Sequence, residues 1–135
     1  MKKSNILIIA SLCLVIGLVV SCYLAYDALF PMAEPVESPH PDTILLFSVK
    51  DNNNNEFNVD NFYSFYDCLL NAKSTRIMSA NDYPDTRPYY QVCIIAGDNR
   101  VYRYYLYQSN GKDYLEVPYV GVYEIQNFAI NSLFT

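Results

Sequence analysis

The stretch Arg100-Val-Tyr-Arg-Tyr-Tyr-Leu-Tyr107, followed by Asn110-Gly111 and Asp113-Tyr-Leu-Glu-Val117, decides the fold. Its aromatic and branched residues suit a pleated, half-buried strand. Asn-Gly between two such runs makes a two-residue hairpin turn, in which Gly111 is expected at positive φ. Just upstream, Tyr89-Tyr-Gln-Val-Cys-Ile-Ile-Ala96 reads as a further strand, linked through a turn at Gly97-Asp-Asn. Three strands joined by hairpins require an antiparallel sheet.

Working outward, Thr43-Ile-Leu-Leu-Phe-Ser-Val-Lys50 is β-rich and ends at Asp51 and the run Asn52 to Asn55, which is turn chemistry. Glu56 to Val59 reads as a short return strand. Phe62, Phe65, Tyr66, Leu69 and Leu70 then recur at helical spacing, capped by Asp60 or Asn61, and predict a helix to about Ala72. A further short strand is placed near Arg76 to Met78, before a polar, proline-bearing stretch from Ser79 to Pro88. At the far end Ile125, Phe128, Ala129 and Leu133 predict a second amphipathic helix over Tyr123 to Phe134. The expected class is α+β: an antiparallel sheet with two helices packed on one face, preceded by an N-terminal transmembrane or signal helix.

That preceding segment is uncharged from Ser4 to Tyr26, a run of 23 residues in a chain of 135. A bilayer core needs about 20 apolar residues as a helix, so residues 1–30 read as a membrane anchor or a lipoprotein signal. Lys2 and Lys3 precede the run, and 14 acidic but only 7 basic residues follow it. Basic flanks stay cytoplasmic, which puts the C-terminal domain outside the cell membrane, in the cell envelope. Val19-Val20-Ser21-Cys22 resembles a bacterial lipobox, making Cys22 the candidate lipidation site; Tyr23 to Tyr26 prolongs the apolar run instead, as an uncleaved single-pass anchor would. Both alternatives give one topology. Residues 31–41 carry four of the seven prolines and read as an extended, stiff stalk, leaving 42–135 as the exported domain.

Composition excludes much chemistry. A formal net charge of −5 offers no basic stripe for nucleic acid. The one histidine, His40, lies between two stalk prolines, so a nucleophile in the domain has no imidazole base. Asp82 and Asp85 are the best carboxylate pair, yet Asn81-Asp-Tyr-Pro-Asp-Thr-Arg-Pro88 reads as turn-forming residues. The same stretch and the asparagine tract match no calcium-loop spacing, and 4 glycines form no phosphate loop. No enzyme activity, cofactor or metal is expected. Cys68 on the helix and Cys93 on a central strand are expected to remain unpaired, because a helix packed on a sheet holds its backbone about 10 Å away.

Tyrosine is the compositional anomaly. Twelve of the 14 lie in the exported domain. In a strand, Val101, Arg103, Tyr105 and Tyr107 share one face, and Tyr102, Tyr104 and Leu106 the other. With helices on one face only, the face bearing Arg103 should be open, and Arg103, Tyr105 and Tyr107 become the candidate binding face. Tyrosine is also simply a good strand former with a wettable tip.

Asn110-Gly-Lys-Asp-Tyr-Leu-Glu-Val-Pro-Tyr-Val-Gly-Val-Tyr-Glu-Ile125 resembles the closing segment of a family of small, membrane-anchored proteins of Gram-positive bacteria. The shared pattern is an Asn-Gly turn, a tyrosine-rich strand, a Pro-Tyr-x-Gly-x-Tyr link (here Pro118 to Tyr123) and a closing helix. Asn81-Asp-Tyr-Pro84 fits a further Asn-Asp-x-Pro element. The family is a domain of unknown function, so the resemblance implies a fold and a location and carries no activity. The leading expectation is a non-enzymatic module binding a protein or cell-wall partner through an open sheet face. The alternative is a sensor or inhibitor acting on a neighbouring membrane protein, which should present a protruding loop at Ser79 to Pro88.

Overall fold

A computed structural model describes residues 3–59, 62–126 and 128–130. It divides into two units, Met1–Pro31 and Met32–Thr135. The first is a single helix, α1 (Lys3–Leu29), apolar all round, with no buried face. At 1.5 Å per residue it is about 40 Å long. From Asn5 to Leu29 it is long and apolar enough to cross a membrane, a test that a signal sequence also passes.

The second unit is built on seven strands: β1 (Ile44–Asp51), β2 (Glu56–Phe57), β3 (Lys73–Ile77), β4 (Tyr89–Ala96), β5 (Val101–Ser109), β6 (Lys112–Val117) and β7 (Gly121–Ile125). They form one sheet in the order β2-β1-β4-β5-β6-β7-β3, with every neighbouring pair antiparallel. One helix, α2 (Phe62–Leu70), joins β2 to β3. The α+β class with its antiparallel sheet is therefore that expected. Asn110 at φ 52° and Gly111 at φ 74° give both central residues of the β5–β6 turn positive φ, the primed geometry that matches the twist of the strands. The Asn52–Asn55 turn is organised by Asp51, whose carboxylate accepts from the backbone N–H of Asn53 (2.8 Å) and Asn55 (2.9 Å) and from the Asn55 amide (2.8 Å). The Asn55 amide first, with these backbone groups, holds its carboxyl below the usual range.

One boundary shifts and one expectation fails. The strand placed near Arg76 starts earlier, at Lys73, and carries a bulge between Ser74 and Ile77 with Arg76 at φ 66°. More consequentially, Tyr123 to Ile125 does not open a helix. It belongs to β7, pairing Leu115 with Tyr123 and Asp113 with Ile125. Ile125 and Phe128 are both buried on the α2 side of the sheet, a spacing of three that reads as helix and is met here by a strand and the chain leaving it. Residues 131–135 of that expected helix, with Asn127, and the expected caps Asp60 and Asn61 lie outside the described residues.

The core lies between α2 and one face of the sheet. Phe65, Cys68 and Leu69 of α2 meet Val49, Val92, Ile94, Tyr104, Leu106, Leu115 and Tyr123. Phe65 is the hub, with ring centroids 5.6 Å from Phe47, 5.8 Å from Tyr104 and 6.4 Å from Phe128. The stretch expected as a free stalk supplies the rest of the cover. Pro39 is buried, and Ala33 and Val36 pack against the core. The Ala33 N–H donates to Ser74 Oγ (3.1 Å), the Tyr104 hydroxyl donates to the Glu37 carbonyl (2.6 Å), and the Tyr123 hydroxyl donates to the Glu34 carbonyl.

Half of the opposite face is covered as well. Ser79 to Pro88 folds back over it: Pro84 is fully buried, and the buried Ser79 hydroxyl donates to Glu116 Oε1 (2.7 Å). Tyr83 stacks on Tyr89, and Tyr89 meets Tyr105 edge-on at 5.5 Å. Tyr105 and Tyr107 are consequently 7% and 8% exposed. The strand's period of two does split Tyr105 and Tyr107 from Tyr104, as expected, yet both sets of rings are covered and are core, while Arg103 on the Tyr105 side stays exposed. Cys68 and Cys93 are both free. They lie on opposite sides of the sheet, since Cys93 alternates with core-facing Val92 and Ile94.

These buried phenols set an alkaline limit. Burial pushes the Tyr107 hydroxyl up to about 12 and raises those of Tyr104, Tyr105 and Tyr123. An unfolded tyrosine ionises near pH 10, below the folded value, so the stabilisation is complete below about pH 10 and lost as pH rises through about 12. The melting midpoint, followed with tyrosinate absorbance, should hold steady to about pH 10 and fall as pH rises from there to about 12, and Tyr107→Phe should fall less steeply.

Candidate functional site

A cleft of about 720 Å³ lies at one end of β5. Its origin is local. β6 pairs with β5 only from Tyr105↔Glu116 to Ser109↔Lys112, and then reaches Val117-Pro118. Proline has no N–H to donate to a ladder and ends the strand there. The chain turns at once, with the Val120 N–H donating to the Val117 carbonyl (3.1 Å). Val101 to Arg103 of β5 therefore run on past β6, and Val101 to Tyr104 are paired with β4 on one side only.

The turn itself is unusual. Pro118 at its second position and a third residue at positive φ define a type II turn, which favours glycine or asparagine there. The residue present is Tyr119, at φ 61°. A non-glycine residue held in this region costs about 1–3 kcal/mol, and such strain collects at functional sites. The ring stands 63% exposed over the cleft, and its hydroxyl donates to Asp82 Oδ1 (2.7 Å). That hydrogen bond is the main cause of its raised hydroxyl pKa. Asp82 is thereby a partner of Tyr119, and Asp85 accepts instead from the Asn81 amide (3.4 Å), so the carboxylates expected as a possible pair have separate roles in a turn.

Glu34 to Glu37 form the opposite wall. Glu37 makes an ion pair with Arg100 (3.3 Å), while its carbonyl is held by Tyr104. The wall's approach depends on Gly121: a Cβ placed there would stand 2.6 Å from the Ala33 Cβ and 3.3 Å from the Ile77 carbonyl oxygen. Beyond Glu34, Glu37 and Asp82, the lining includes Tyr102, Tyr104, Tyr105 and Arg103. Arg103 is exposed and, among the described residues, has no ion pair.

Of the residues read as a flat binding face, the cleft gathers Arg103 and Tyr105 and leaves out Tyr107. Tyr107 stacks on Tyr114 (5.7 Å) and borders a separate hollow of about 130 Å³. Tyr119, Glu34 and Glu37 were not read as site residues. The available signal was Pro118-Tyr119 itself, a turn dipeptide lacking the glycine its geometry prefers. His40 sits on the surface, its Nδ1 3.5 Å from Asp42. Cys22, the candidate lipidation residue, lies within α1. Among the described residues no three His, Cys, Asp or Glu side chains converge as a metal site.

The close approach at Gly121 yields a direct test of the wall. Gly121→Ala should lower stability by about 1–3 kcal/mol through overpacking. Ala33→Gly added to it should recover part of the loss, because the nearest clashing atom is then gone. Thermal unfolding of the two variants measures both effects.

Neither a curated protein nor a solved structure matches the chain. A protein family does, over residues 32–124, which begins just past α1 and includes both the proline-rich wall and the Tyr119 turn. The match takes in well over half of the sequence, and the chain belongs to this family, DUF5301, a domain of unknown function.

Proposed function

We propose that the protein is an extracytoplasmic binding module held at the cell membrane by α1, which captures a protein or envelope polymer in the cleft beside Tyr119 without catalysing a reaction. It rests on one observation: a tyrosine is kept in a backbone conformation that disfavours it, with its ring presented to the cleft. An exposed, rigid aromatic with a polar tip is well suited to recognition. The polar side chains around it are phenols, carboxylates and one guanidinium, set among valines and prolines, and no imidazole is among them. The Lys2/Lys3 side stays cytoplasmic in this reading, and Cys22 carries the lipid if the segment is processed.

A sensor acting on a membrane neighbour is the second reading, favoured by chain continuity. The cleft wall at Glu34 to Glu37 follows α1 by only a few residues, so an occupant touches the segment that leads to the helix. In the loop at Ser79 to Pro88, where an inhibitor element was expected, Ser79 and Pro84 are anchored on the sheet and most other residues are exposed.

Two experiments test the proposal. Protease added to intact cells without an outer barrier should remove the domain; full protection there, with digestion after lysis, refutes the topology. In the same cells Cys22→Ala should abolish fatty-acid labelling if the segment is a lipoprotein signal, and should change nothing if it is a plain anchor. For the cleft, capture from native membranes by tagged full-length protein should drop about tenfold with Tyr119→Gly, while stability is kept, since glycine suits the turn. Unchanged capture would refute the site.

A further inference from the structure

We infer that the cleft's occupant is an extended, cationic peptide segment that adds as a strand to the free edge of β5. The inference rests on the cleft being the binding site. Strand addition needs an unpaired backbone edge, room beside it, and side-chain chemistry that selects the partner. All three coincide at one place.

The edge is Val101 to Tyr104. At about 3.3 Å per residue it offers roughly 13 Å of strand. Its β4 side is occupied, from Ile95↔Val101 to Val92↔Tyr104. On the β6 side no described strand pairs with it, because Pro118 ends β6 one residue past Glu116-Val117. The groups on that side are backbone donors and acceptors, which a second backbone in extended form satisfies in register. Val101, 51% exposed, marks the edge as open to solvent.

The room is the cleft, whose lining includes all four edge residues together with Pro118, Tyr119 and Val120. Tyr119, exposed in the same lining, offers an aromatic surface to an added strand. Charge selects the partner. The lining holds three carboxylates, Glu34, Glu37 and Asp82, against the single guanidinium of Arg103. Of these, Glu37 is paired with Arg100 and Asp82 accepts from Tyr119, while Glu34 is exposed and makes no ion pair among the described residues. A lysine-bearing segment complements that rim, and a second copy of this acidic chain, net −5, meets like charge.

The test uses the full-length protein in phosphatidylcholine nanodiscs. The probes are a short peptide alternating lysine and valine, its two backbone N-methylated forms with alternate residues blocked, a glutamate–valine counterpart, and a chitin oligosaccharide. Amide hydrogen exchange and calorimetry are the readouts. The lysine–valine peptide should slow exchange at Val101 to Tyr104 and bind at least about tenfold tighter than the glutamate–valine peptide. One N-methylated form should lose about tenfold in affinity and the other less, because only one edge of the added strand bonds to β5. Equal binding of all the peptides, or protection by the oligosaccharide in their place, overturns the inference. If Tyr119→Gly loses native capture while no peptide protects β5, the cleft stands and strand addition is refuted. If capture also survives Tyr119→Gly, the site and the inference fall together.

Discussion

A seven-stranded sheet is roughly 29 Å across at the usual strand spacing, and a nine-residue helix is only about 14 Å long. That mismatch governs the domain. Through Phe65, α2 reaches Phe47, Phe128 and one side of Tyr104, and leaves the far side of Tyr104, with Tyr123 and Val117, for another segment to cover. The cover is the proline-rich segment, which has few N–H groups to bury and carbonyls that must find donors. Tyrosine hydroxyls supply those donors from within the core: Tyr104 to Glu37 and Tyr123 to Glu34. Each phenol buries a ring and satisfies a carbonyl at once, and among the described residues no buried side-chain polar atom lacks a partner.

The cleft follows from the same arrangement. Laying residues 33–39 across the sheet makes a wall, and stopping β6 at Pro118 makes the space behind it. The two features are far apart in sequence and meet only because Gly121, without a Cβ, lets Ala33 approach β7. The tyrosine abundance therefore divides by task. Tyr104, Tyr105, Tyr107 and Tyr123 are core residues with a polar end, whereas Tyr119 stands exposed on a strained turn. A single composition count covers both kinds.

The errors of reading are instructive at particular residues. Tyr105 and Tyr107 were expected on an open face because Arg103 shares it. Arg103 is indeed exposed, and the two tyrosines are buried because Tyr83, Pro84 and Ser79 lie over that half of the sheet. A loop of polar and proline residues carries no periodic signal that tells which surface it will cover. Ile125 and Phe128 suggested a helix because burial at a spacing of three is shared by helices and by strands that end and turn inward.

Local chemistry was sufficient where one short segment settles the outcome. The uncharged run before Tyr26, the Asn110-Gly111 turn, the Asp51 cap on the asparagine tract and the helical spacing from Phe62 to Leu70 each depend on neighbours within a few residues. The sequence by itself thus determined the apolar helix, the β4–β5–β6 hairpins and the α+β class. Only the tertiary structure decided that the proline-rich segment is part of the core, that the face of Tyr105 and Tyr107 is covered over those rings, and that a notch opens at the edge of β5. Those outcomes depend on contacts between residues tens of positions apart, such as Ala33 with Gly121 and Ser79 with Glu116, and no local pattern encodes such a meeting.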